Sequence, residues 1–166
     1  MDELKHLLLL RHAKSSWDDP ALGDHDRPLA PRGRKAAKLI GAHLRREQIG
    51  SSLVLCSSAR RARETLELVS PSGEIQIEEG LYGASADELL GRLRQVPDEV
   101  DCALLIGHNP AIQDLAAGLV ADSAGLATRK FPTGALATLT FAGTWSELDF
   151  RRAKRDAFVR PRELVS

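Results

Sequence analysis

Short apolar runs alternate with stretches of helical period along this chain. Residues 7–10 are four consecutive leucines that stop abruptly at Arg11-His12, a run of strand length. A stretch rich in turn-forming residues follows, from Asp18-Asp19-Pro20 to Arg27-Pro28. Pro31 suits a first helical turn, where its missing N–H leaves no bond unmade, and Ala36, Ile40 and Leu44 then recur at i, i+4 spacing. This predicts a long helix reaching about Glu47. Leu53-Val54-Leu55-Cys56 reads as a second strand, with Ser57 or Ser58 as the N-cap of a helix carrying Ala62, Leu66 and Val69 on one face.

The second half repeats the pattern. Residues 75–77 predict a short strand, and Ser85-Ala86-Asp87-Glu88 is a capping box opening a helix that buries Leu89 or Leu90, Leu93 and Val96. Residues 102–106 predict a buried strand ending in Gly107-His108. Asn109 as N-cap and Pro110 as first helical residue then start a helix with Ile112, Leu115, Ala116 and Leu119 inward. After Pro132-Thr133-Gly134, residues 135–141 and 145–150 predict two more strands, joined as a hairpin through Ala142-Gly143-Thr144. The segment rich in Arg and Lys at 151–162 carries no assigned element. Strands alternating with helices define an α/β chain built on an open sheet.

Composition narrows the function. A chain of 166 residues with 43% hydrophobic content has the size and core of one domain, expected to span 1–166. Lys and Arg number 23, against 23 Asp and Glu, so overall charge favours neither nucleic acid nor acidic membranes, and any anion site must be local. Cys56 and Cys102 each sit in an apolar run without a CxxC or Cys/His pattern, which predicts reduced core thiols. The leucine run is too short for an export signal or a membrane span. A cytoplasmic location is the expectation.

In an open α/β sheet, ligands bind beyond the carboxyl ends of the strands. Arg11 and His12 follow the first strand, the segment from Ser57 to Arg61 follows the second, and His108 follows the strand ending at Ile106. Two arginines, two histidines and two helix N-termini therefore converge, a donor set suited to phosphate. Walker A, GxGxxG and HExxH sequences are missing, and no cofactor is expected. Asp24-His25-Asp26 has metal-ligand residue types, but in a turn-rich stretch these groups read as solvated or turn-stabilising, and no metal is expected.

At these residues the chain resembles the histidine phosphatase superfamily, of phosphoglycerate mutase-like fold, and within it the short SixA-type phosphohistidine phosphatases. The family's Arg-His-Gly/Ala opening stands as Arg11-His12-Ala13, followed by Lys14-Ser15-Ser16-Trp17. Its Ser-x-x-x-Arg-Ala-x-x-Thr signature stands as Ser57-Ser58-Ala59-Arg60-Arg61-Ala62-Arg63-Glu64-Thr65, which makes Arg61 the phosphate ligand and Arg60 and Arg63 bystanders. Gly107-His108-Asn109-Pro110 supplies the Gly-His segment, and Asp26-Arg27-Pro28-Leu29 with Arg32-Gly33 resembles the SixA-type Arg-Pro-Leu-Thr-x-x-Gly. Ala30 replaces the usual Thr, removing a potential helix cap, and Ala13 replaces Gly as is common in the SixA-like branch.

The resemblance implies a three-layer α/β/α sandwich with a mostly parallel central sheet. It also implies a metal-independent hydrolase in which His12 attacks phosphorus, a covalent phosphohistidine forms, and water hydrolyses it. Arg11, Arg61 and His108 would stabilise the phosphoryl oxygens, with Arg27 as a further contact. Glu79, in Glu79-Gly80-Leu81-Tyr82-Gly83, has the spacing of the general acid used by larger members. Against these stand plainer readings: Arg27 paired with Asp24 or Asp26, and Glu79 a solvated loop charge beside Glu78. His6, His25 and His43 have no motif and are expected to be structural or exposed. The short chain predicts an open site and hence a phosphorylated protein substrate, for example a phosphohistidine on a signalling or phosphotransfer domain. The alternatives are a small phosphoester substrate or, in another class, a catalytically silent phospho-binding module.

Overall fold

A computed structural model describes residues 4–121 and 130–164; the charged opening at 1–3 lies outside the described residues. The strands are β1 (Leu4–Arg11), β2 (Leu53–Ser57), β3 (Glu74–Glu78), β4 (Cys102–Gly107), β5 (Leu136–Ala142) and β6 (Lys154–Val159). The helices are α1 (Pro31–Arg46), α2 (Arg60–Val69), α3 (Ala86–Leu93) and α4 (Ala111–Leu119). The strands form one sheet in the order β3-β2-β4-β1-β5-β6. The pairs β2–β3, β2–β4 and β1–β4 are parallel, while β5 and β6 add antiparallel to one side.

The leucine run at 7–10 has no polar alternation because both faces of β1 are covered. Leu7 and Leu9 join the helices α3 and α4 in one apolar cluster. Leu8 and Leu10 join α1 and α2 in another on the opposite face. This is the expected α/β/α sandwich. Two glycines let the layer of α1 and α2 close: a β-carbon on Gly33 would overlap the Lys14 carbonyl, and one on Gly41 the Val69 carbonyl.

Element ends differ from expectation in instructive ways. The N-cap of α2 is Ala59, with no side-chain bond, instead of Ser57 or Ser58. Ser57 ends β2, where its hydroxyl serves the site described below. Pro110 takes the N-cap position of α4, and Asn109, one residue earlier, still accepts from the Gln113 N–H at 3.3 Å. Ser85 and Glu88 form the predicted capping box, and Val96 is buried just beyond the end of α3. Ala30 is the N-cap of α1 and offers no side-chain acceptor.

The expected strand at 145–150 is absent. Trp145–Glu147 is instead a 3-10 turn, capped by Thr144 and Glu147. Trp145 and Leu148 are fully buried, i, i+3 apart, and the indole N–H donates to the Val100 carbonyl at 2.7 Å. That spacing puts both side chains on one side of a turn, which an extended strand cannot do. The partner of β5 is β6, inside the basic segment. As an edge strand exposed along much of its length, β6 has no apolar run to mark it.

Candidate active site

The parallel strands β1, β2 and β4 end side by side, and their last residues carry the polar groups. Beyond Arg11, the His12 N–H donates to the Gly107 carbonyl at 3.0 Å, and the Gly134 N–H reaches the Arg11 and His12 carbonyls, both at 3.0 Å. The backbone around His12 is thereby pinned from both neighbours. His12 is 7% exposed. Its Nδ1 lies 2.7 Å from the Ala13 carbonyl oxygen. A carbonyl can only accept, so Nδ1 carries the proton and Nε2 keeps its lone pair.

His108 packs beside it, with ring centroids 5.0 Å apart. Its Nε2 shares a 2.7 Å hydrogen bond with the Ser57 hydroxyl. Burial, with Arg61 and Arg11 nearby, pushes both imidazoles toward the neutral form: His12 falls to about 3 and His108 to about 4. For His12 the bond to Ala13 opposes this but does not outweigh burial.

The arginines are held in turn. Arg61 Nη1 donates to the Asp24 main-chain carbonyl at 2.7 Å and Nη2 to its carboxylate at 3.0 Å. Arg27 grips the other carboxylate oxygen of Asp24 at 3.2 Å and donates to the Ser15 hydroxyl at 2.7 Å. Its guanidinium lies over the Trp17 ring, 3.5 Å from the centroid. Arg11 Nη1 donates to the Phe131 carbonyl at 2.9 Å, where the Asn109 amide also donates at 3.0 Å.

Together Arg11, His12, Arg27, Arg61 and His108 line one cavity of about 350 Å³. The structure does not bring Glu79 into this group. It is exposed at the start of the 3-10 turn Glu79–Leu81 and does not line the cavity. From that segment it is Tyr82 that reaches the site, its hydroxyl donating to Asp24 at 2.6 Å. That bond, with those from Arg61 and Arg27, lowers the Asp24 carboxyl to about 2. The Asp24–Asp26 triplet is thus a 3-10 turn whose first carboxylate is engaged by protein cations, and the described residues contain no His/Cys/Asp/Glu group arranged for a metal.

The three polar positions of the Ser57 to Thr65 signature now have separate tasks. Ser57 holds His108, Arg61 enters the cavity, and the Thr65 hydroxyl accepts from the Ala13 N–H at 3.0 Å while donating to the Arg61 carbonyl at 2.7 Å. Arg60 pairs with Glu64 at 3.1 Å and Arg63 donates to the Ser58 carbonyl at 2.8 Å, so both stay outside the cavity as expected.

Residues 7–102 match the family model described as the histidine phosphatase superfamily (branch 1). The chain belongs to the histidine phosphatase superfamily. A superfamily member from Nakamurella multipartitia, assigned as a phosphohistidine phosphatase SixA, superposes with a TM-score of 0.87 at 32% identity, covering 95% of this chain and 96% of that one. A second SixA, from Agrobacterium tumefaciens and assigned likewise, superposes at 0.80 with 27% identity, covering 95% and 99%. An uncharacterized protein of Mycobacterium leprae is 38% identical over 161 residues, 92% of this chain and all of that relative. The histidine phosphatase is therefore SixA-type, a hydrolase acting on phosphoryl groups.

The sequence offered Asp24 only as a partner for Arg27, a pair the structure contains, and did not mark Asp24, Ser57 or Tyr82 as organisers of the site. Ser57 stands in the signature and Tyr82 beside Glu79, so their positions were visible. Their partners were not, since His108 lies 51 residues from Ser57 and Asp24 58 from Tyr82. His25, expected to be structural or exposed, bonds Ser58 through Nε2 at 2.9 Å and packs edge-on against Tyr82.

Proposed function

We propose that this enzyme removes phosphate from phosphohistidine on a protein through a covalent intermediate on His12. The observation that carries the reading is the 2.7 Å bond between His12 Nδ1 and the Ala13 carbonyl, which leaves Nε2 free as a nucleophile at the wall of an arginine-lined cavity. Nε2 attacks phosphorus in line, the bond from phosphorus to the leaving nitrogen breaks, and a phosphohistidine forms. Water then attacks the same phosphorus, restoring His12 and releasing inorganic phosphate. Arg11, Arg61 and the neutral His108 hold the equatorial oxygens, with Arg27, which lines the same cavity, as a third arginine. Arginines fixed in place by the protein stabilise the charge of the transition state without reorganising.

A nitrogen leaving group is favoured by the state of Asp24, the carboxylate bound to two of the cavity's arginines. Bound also by Tyr82, it has its carboxyl lowered to about 2, which makes it a poor proton donor near neutral pH. A phosphoramidate needs less protonation to depart than an alkoxide, so the reading does not depend on Glu79. The assignment of the SixA relatives as phosphohistidine phosphatases supports the same choice.

Rapid quenching after brief exposure to labelled substrate tests the intermediate. An acid-labile, alkali-stable phosphoprotein is expected, and it should vanish in His12→Ala. Full turnover by His12→Ala would overturn the mechanism. Comparison of kcat/KM on phosphohistidine protein and on phosphate monoesters tests the substrate; a strong preference for a small monoester would overturn that half of the reading.

A further inference from the structure

Beside the catalytic cavity lies a larger groove of about 630 Å³, joined to it through Lys14 and Thr133, which line both. Its cations come from distant parts of the chain: Lys14 after β1, Arg32 in the first turn of α1, Lys130, and Arg160 and Arg162 at the end of the described chain. Among the described residues no carboxylate lines it. Arg160 is paired, its Nε 2.9 Å from Glu163. In a chain of balanced charge, 23 against 23, this is a local segregation of positive groups. The first turn of α1 adds to it, since it contains no acidic residue and the helix dipole is positive there. Between the cations the lining is apolar, from Ala36, Pro132, Phe158 and Pro161. Phe158 is held edge-on against Phe131, with ring centroids 5.1 Å apart.

We infer that this groove docks an acidic segment, bearing apolar side chains, that flanks the phosphohistidine of the protein substrate. The inference rests on the phosphoprotein reading above and adds what the protein must carry next to its phosphorylated residue. Charge complementarity selects an acidic partner. The apolar floor selects a peptide over a compact polyanion, because a purely ionic ligand would leave Phe158 and the prolines uncovered. Continuity through Lys14 and Thr133 means that one chain can place its phosphoryl group at His12 and its neighbouring residues in the groove. The basic C-terminal segment thereby acquires a task that its sequence alone did not disclose.

Two peptides of equal length, each with one histidine phosphorylated by phosphoramidate, test this. One carries Glu and Leu around the histidine and the other Gln and Ser; phosphoramidate itself is the small substrate. The wild type should favour the Glu/Leu peptide in kcat/KM by about tenfold or more, and added salt should shrink the preference. The preference should disappear in Arg32→Glu/Arg162→Glu and survive in Arg32→Lys/Arg162→Lys, with phosphoramidate turnover the same in all three proteins. Equal kcat/KM on both peptides, or an equal loss on phosphoramidate in the Glu variant, would overturn the inference alone. Competition by inorganic tripolyphosphate but not by the unphosphorylated Glu/Leu peptide would also overturn it, in favour of a small polyanion. Turnover of phosphate monoesters with neither peptide hydrolysed would overturn the phosphoprotein reading and this inference with it.

Discussion

Asp24 holds Arg61 at two points, accepting from Nη1 through its main-chain carbonyl at 2.7 Å and from Nη2 through its carboxylate at 3.0 Å. The same carboxylate binds Arg27 and Tyr82. One acidic side chain therefore orients two of the cavity's cations while offsetting part of their charge. Asp24→Asn keeps the shape and removes the charge. Inorganic phosphate should then bind more tightly as a product inhibitor, while kcat falls severalfold because the arginines lose their fixed orientation. Inhibition constants and kcat measured on one substrate check both; weaker phosphate binding in the variant would contradict the role given to Asp24.

Ser57 stands to His108 as Asp24 stands to Arg61. Removing its hydroxyl in Ser57→Ala leaves a half-buried imidazole without its 2.7 Å partner. The loss of one such bond, of order 1 kcal/mol or somewhat more, should lower kcat/KM by about tenfold. Thermal unfolding measured alongside separates this from a general loss of stability, and Ser57→Thr should restore part of the activity.

The depressed histidines make a prediction about pH. His12 and His108 fall from 6.5 to about 3 and about 4, so the free enzyme keeps both rings neutral well below the ordinary imidazole range. After correction for ionisation of the substrate's own phosphate, kcat/KM should show no loss near pH 6.5 on the acid side. Stability follows from the same shifts. The unfolded chain takes up more protons than the folded one once pH drops below 6.5, so the histidines' contribution is complete above that pH and declines toward about 4 and 3. Denaturant titrations at a series of pH values measure the slope; stability rising between pH 6.5 and 4 would contradict it.

Gly33 is required by contact and not by turn geometry. A β-carbon there would overlap the Lys14 carbonyl, two residues beyond His12, so Gly33→Ala must push α1 away from the loop that shapes the cavity. The expected cost is about 1–3 kcal/mol of stability, with lower kcat/KM, because overpacking shifts backbone that cannot collapse elsewhere. Gly23→Ala, where an added β-carbon meets nothing within 4 Å, is the control and should leave kcat/KM unchanged.

Most of the architecture was legible along the chain, wherever an element's own residues decide it. The leucines of β1 mark a strand buried on both faces, the i, i+4 apolar positions of α1 mark a helix, and Ser85 with Glu88 caps α3 within four residues. The edges were harder to read. Half-exposed β6 carries no apolar signal, and the apolar Trp145 sits in a turn whose burial against the core is set by tertiary packing.

The site divides along the same line. That His12, Arg11, Arg61 and His108 meet in one cavity was readable from sequence, because each occupies a short local motif at a strand end and parallel topology brings strand ends to one side of a sheet. What the sequence could not determine is which groups hold those four in place. Asp24 on Arg61, Ser57 on His108, Tyr82 in place of Glu79, and a basic groove assembled from Arg32, Lys130 and Arg162 all join residues far apart in the chain. Such pairings leave no local period or spacing; they exist only once packing has fixed the distances between side chains.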